Sequence, residues 1–185
     1  MRCGVNPEKN AMPGETVRKM FEVRERKILL LALGNDILGD DGVGLYAART
    51  LAKKWSHRIE IVEAPIGGFA LIDLLHGYDK VLILDSISGV SAKPGTLREL
   101  SVDDFHEQSF ASPHYVGLKE IVELAVHLEI PFPSEIRILG MEVADASILR
   151  KGLSPEIESE LPRLIQSAET ILVEWACESD EVHVK

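Results

Sequence analysis

The chain alternates between uninterrupted apolar runs and stretches whose apolar residues fall at helical spacing. Residues 28–33 read ILLLAL and residues 81–84 read VLIL, each bounded by polar positions. Continuous aliphatic runs of this length suit parallel strands covered by helices on both faces. Between them, VGLYAARTLAKKW has the periodicity of a helix, RIEIVEAP alternates like a strand and GGFALIDLLHG reads as a short helix. The unit is therefore βαβαβ, with strands at 28–33 and 80–85. Further on, KPGTLREL predicts a turn feeding a short strand, residues 101–113 a loop, YVGLKEIVELAVHLE a helix and EIRILGMEV a strand. The segment SPEIESELPRLIQSAETILVEWA closes the pattern as a helix. Ser154 is placed to cap it, Pro155 suits its first turn and Glu158 adds a third start signal. Pro162 predicts a kink or a late start.

This order of elements predicts an α/β protein: a three-layer α/β/α sandwich with a mostly parallel twisted sheet, phosphorylase/hydrolase-like in architecture. One domain is expected over residues 26–178. Residues 1–25, mixed in charge and without a strong apolar stripe, read as an N-terminal extension, and residues 179–185 as a polar tail. No internal repeat or low-complexity tract interrupts the reading.

Composition narrows the partners. In 185 residues, 45% are apolar, enough for a substantial core, and 30 acidic against 20 basic residues give a net charge of -10. Such a charge repels nucleic acid and anionic membrane, so neither is expected as a partner. No apolar run approaches the roughly 20 residues of a membrane span, and the first residues lack the apolar core of a signal peptide. A cytoplasmic protein without membrane insertion is expected. Cys3 and Cys177, one near each end of the chain, make neither a disulfide framework nor a CxxC pair.

Candidate chemistry follows from the predicted sheet. In open parallel sheets, ligands bind beyond the carboxyl ends of the strands. There the chain offers Asn35, Asp36, Asp40 and Asp41 in GNDILGDDGVG, Asp85 and Ser86 after VLIL, and Ser112 and His114 in SPHYVGL. Two carboxylates and an imidazole brought together could form a metal site, an aspartate pair sharing a proton, or a nucleophile with its base. Each residue also has a structural reading. Asp40 or Asp41 could cap the helix that follows, Asp36 could be a solvated turn residue, Asp85 a strand-ending turn residue and His114 a helix-start residue. The glycines fit neither GxGxxG nor a phosphate loop.

The segments LALGNDILGDDGVG, VLILDS with KPGTL after it, and SPHYVGL, in that order, resemble the maturation endopeptidases of nickel-iron hydrogenases. The resemblance runs from about Ile28 to Trp175 and includes GGFALIDLL and GLSPEIESEL. It implies that the acidic residue six positions after the GN asparagine, Asp41, joins Asp85 and His114 in a catalytic metal site. Many members carry Glu where this chain has the shorter Asp41. The implied activity is removal of a short C-terminal peptide from the nickel-loaded precursor of a hydrogenase large subunit, with the nickel supplied by the precursor. Two mechanisms fit: metal-assisted hydrolysis, or an aspartyl-protease pair of Asp41 and Asp85 with the metal used for recognition. A triad on Ser112 or Ser86 is disfavoured, because neither serine sits in a nucleophile elbow. The resemblance gives Asp40 a cap or supporting role and makes Asp36 an outer-loop residue. It also lets the loop glycines, with Gly67 and Gly68 nearby, admit a substrate backbone. The competing readings are a non-catalytic nickel-checking protein and a small-molecule-binding α/β protein.

Overall fold

The computed structural model describes residues 26–181 apart from 66, 90–92, 107–109 and 112–117. The expected extension at residues 1–25, Ser112 and His114 lie outside the described residues. In chain order the main elements are β1 (Ile28–Leu33), α1 (Val43–Trp55), β2 (Glu60–Ala64), α2 (Leu71–Leu75), β3 (Lys80–Gly89), β4 (Leu97–Leu100), β5 (Phe110–Ala111), α3 (Leu118–His127), β6 (Glu135–Glu142) and α4 (Pro155–Glu181).

The sheet runs β2-β1-β3-β6-β4, with β5 pairing the end of β3. Pairings β2·β1, β1·β3 and β3·β6 are parallel, and β4 closes the edge antiparallel to β6. All six residues of β1 are buried. The continuous apolar run reflects this central position, because both faces of the strand meet helices. On one face Leu30, Ala32, Leu82 and Leu84 pack with Val43, Ala47 and Leu51 of α1 and Ile157, Leu164, Ala168 and Trp175 of α4. On the other, Leu29, Leu31, Val81 and Ile83 pack with Leu71 and Leu75 of α2 and Leu118 of α3. Three layers result.

The expectation at Pro162 is corrected in part. The last helix begins at Pro155 and continues unbroken to Glu181 with Pro162 inside it. Proline withholds one N–H from the ladder, but Pro162 is exposed, so water can reach this stretch of backbone. The buried residues after it hold the helix to the sheet.

At the amino edge of the sheet, buried Lys80 lies 2.7 Å from carboxylate oxygens of both Glu135 and Glu178 and 5.2 Å from the Trp175 ring. Burial opposes its charge, but the two carboxylates outweigh this and raise its pKa above the usual 10.5. A raised folded-state pKa stabilises below the unfolded value, and that stability is lost as pH rises through the folded one. Lys80→Met is expected to lose about 1–2 kcal/mol near neutral pH, since both carboxylates can rehydrate. Denaturant melts of the two proteins should converge above pH 10.5; a constant gap would assign the loss to packing.

Candidate active site

The strand order places β1 and β3 side by side while their following connections leave in opposite directions, toward β2 and toward β6. The crevice beyond their carboxyl ends is a switch point of the sheet, where open α/β folds bind ligands. The loop after β1 and the last residues of β3 that flank it carry candidate residues.

The loop after β1 turns immediately. Gly34 has φ +121°, and a Cβ there would collide with the carbonyl oxygen of Asp41, so only glycine allows the chain to fold back on itself at this point. Asp41 is 7% exposed. Its Oδ2 accepts the backbone N–H of Asn35 at 2.7 Å, and its Oδ1 accepts the Ser86 hydroxyl at 2.9 Å. No side chain caps α1; its cap residue is Gly42. The capping reading of Asp40 and Asp41 for this helix is therefore not what the fold uses. Asp41 instead ties its loop to β1 and β3.

Asp40 points elsewhere. Its Oδ1 accepts the backbone N–H of Ser154, at 2.6 Å, at the start of α4. Asp36 pairs with Arg49 at 2.9 Å, and Arg49 also reaches Glu63 at 2.7 Å. The two carboxylates raise the Arg49 pKa. This exposed trio links the outer loop to α1 and β2. The three aspartates of the GNDILGDDGVG segment thus make three separate sets of contacts.

The expected strand end at residue 85 is corrected: β3 runs on to Gly89, and Asp85 is fully buried inside it, where pairing with β1 has stopped at Leu84 and pairing with β6 continues to Ile87. Its Oδ1 accepts the N–H of Ser86 at 2.7 Å. One buried serine therefore donates to both carboxylates, through its hydroxyl to Asp41 and through its amide to Asp85. Spacing alone offered Ser86 only as a candidate nucleophile. Nothing in a linear pattern marks a bridging hydroxyl, and its signal was limited to a polar residue after an apolar strand. The third candidate, His114, lies outside the described residues. The pair brought together by the fold is Asp41 and Asp85.

A separate cleft of about 750 Å³, lined by Lys27, Arg58, Glu60 and Tyr78 among others, opens at the amino ends of the strands. Burial and Glu60 push the Tyr78 hydroxyl up to about 12. This cleft is at the edge of the sheet opposite the carboxylates.

Chemically, two buried carboxylates at a switch point suit hydrolysis or cation binding, and the glycines of the loop after β1 match no phosphate-loop pattern. The fold and site together define a three-layer α/β protein with a buried acidic centre at the switch point of its sheet. Residues 45–171 match the model of the hydrogenase maturation protease family, beginning just after Asp41. The Hydrogenase 2 maturation protease of Escherichia coli is 25% identical over 158 residues, covering 83% of this chain and 94% of the relative. A [NiFe] hydrogenase maturation protease HybD from Thermococcus kodakarensis has a similar structure, with a TM-score of 0.62 and 28% identity, covering 78% of this chain and 98% of that one. The E. coli hydrogenase maturating endopeptidase HybD shares the fold at a TM-score of 0.67 and 23% identity, over 80% and 93% of the two chains. The chain belongs to the hydrogenase maturation protease family, and is a peptide-bond hydrolase. Among the described residues, no helix is long and apolar enough to cross a membrane.

Proposed function

We propose that this protease removes a C-terminal peptide from the nickel-loaded precursor of a nickel-iron hydrogenase large subunit in the cytoplasm, with Asp41, Asp85 and His114 meeting the precursor's nickel. The observation that carries the reading is the buried pair of carboxylates joined through Ser86, in a chain of this protease family. The nickel belongs to the substrate. Carboxylate oxygens are suitable donors for a divalent ion. Bound nickel supplies polarisation of a carbonyl or a lowered pKa of water. The protein's part is to hold the two carboxylates at one point, to keep bulk water from them by burial, and to admit the substrate at the crevice.

A second mechanism is favoured by the same burial. In it Asp41 and Asp85 act together on a water molecule, as in an aspartic protease, and the metal serves only for recognition. Incubating the full chain with nickel-loaded and nickel-free precursor, and weighing the large subunit by mass spectrometry, tests the reading. Loss of a C-terminal peptide only from the loaded form is expected. Equal cleavage of both forms would remove nickel from both chemistry and recognition, and no cleavage of either would refute the proposed function.

A further inference from the structure

The segment that follows β6 returns to the loop carrying Asp41. Arg150 donates its N–H to Ile37 O, and Gly39 donates its N–H to Arg150 O, both at 3.2 Å, forming an isolated parallel bridge centred on Leu38 and Arg150. The Asp40 bond to Ser154 N–H, at 2.6 Å, fastens the same segment a second time. Gly39 meets it closely: a Cβ there would lie 3.2 Å from the Arg150 Cβ.

This staple has two consequences. Because both backbone groups of Arg150 face the loop, those of Leu149 face away from it, as alternate residues of an extended chain do. Among the described residues they have no backbone hydrogen-bond partner. The register also sets Ile37 beside Leu149 on one face, and these are strongly exposed large apolar residues, at 61% and 77%. A free strand edge bearing an apolar pair is a template for another extended chain. The next residues are cationic, Arg150 and Lys151, without ion pairs among the described residues. In a chain of net charge -10 they are a local exception.

We propose that this edge is the docking strip for the substrate polypeptide. An extended segment of the precursor adds to the outer edge at Leu149, sets an apolar side chain against Ile37 and Leu149, and brings an acidic group to Arg150 and Lys151. The inference rests on the proposed protease reading, because the strip is continuous with the loop that ends in Asp41. It deepens that reading by giving the substrate a direction of approach: along the β1 loop toward the carboxylates, with binding contributed away from the bond being cut.

The test compares the full-length protein with an Ile37→Ser/Leu149→Ser double variant and with Leu149→Pro, which removes the outward N–H. Cleavage of nickel-loaded precursor by the double variant should show KM raised about 10-fold or more with kcat little changed, as expected for lost apolar contact. Binding is measured separately on Asp41→Asn, with and without the strip substitutions; a similar loss of affinity is expected. Unchanged KM and unchanged affinity in both strip variants would overturn the docking strip. If wild-type protein fails to cleave but Asp41→Asn binds precursor through the strip, the protease reading falls and the strip stands. Light scattering adds the remaining arm: a dimer broken by Leu149→Ser, with precursor affinity unchanged, would give the edge to a second copy of the chain and overturn the proposal.

Discussion

Asp41→Asn yields a folded protein that cleaves nickel-loaded precursor at least ~100-fold more slowly, the scale of loss when a group acting on developing charge is removed. The structure explains why the fold survives. Asparagine Oδ1 can accept the Asn35 N–H that Asp41 now accepts at 2.7 Å, and its amide can donate to the Ser86 hydroxyl, which reverses the bond now spanning 2.9 Å. Hydroxyls serve in either direction. The frame is kept and the charge is lost. Asp85→Asn should behave alike, since an amide oxygen can still accept the Ser86 N–H. Ser86→Ala keeps both carboxylates and removes only the hydroxyl bond to Asp41, so a smaller loss of about 10-fold is expected. Thermal melts beside single-turnover cleavage assays check these outcomes. Normal processing by Asp41→Asn would remove Asp41 from the chemistry and leave it a structural tie between loop and sheet.

Gly44→Ala is expected to be strongly destabilising. An added Cβ at the start of α1 would press on the Leu84 carbonyl, lying 2.8 Å from its carbon and 3.1 Å from the Leu33 oxygen. Both contacts are backbone of β1 and β3, strands paired on each side within the sheet. Such a backbone cannot give way cheaply, so α1 must lift and carry the Asp41 loop with it. A loss of about 3 kcal/mol or more is expected, on the scale of core overpacking, and the melting temperature should fall by about 10 °C. Precursor cleavage should drop with it. Gly77→Ala is the control: its φ is +81°, yet nothing lies within 4 Å of an added Cβ. That variant bears only backbone strain, of order 1 kcal/mol. Equal melting temperatures for Gly44→Ala and wild type would show that helix and sheet separate more easily than their packing implies.

What the sequence determined by itself is the set of elements whose cause is local. The aliphatic runs of β1 and β3 announce burial on both faces. Ser154 and Pro155 mark the start of α4, which the structure begins at Pro155. Asp41 could be placed beyond the end of β1 because a parallel sheet fixes where its loops emerge, whereas Asp85 lies inside β3, which runs on to Gly89, and the ordered motifs pointed to the family to which the chain belongs.

Only the tertiary structure decided the partners. Asp40 bonds to Ser154, 114 positions away, and Ser86 reaches Asp41 across 45 positions. Such pairs depend on strand order and on how helices pack, and apolar periodicity records whether a position is buried without recording what it meets. For the same reason, spacing left Asp41 as a candidate cap until the packed loop showed its two bonds. The Leu38–Arg150 bridge is of this kind as well: the fold lays the residues around Arg150 along the β1 loop, where their backbone edge and exposed leucine acquire a geometry.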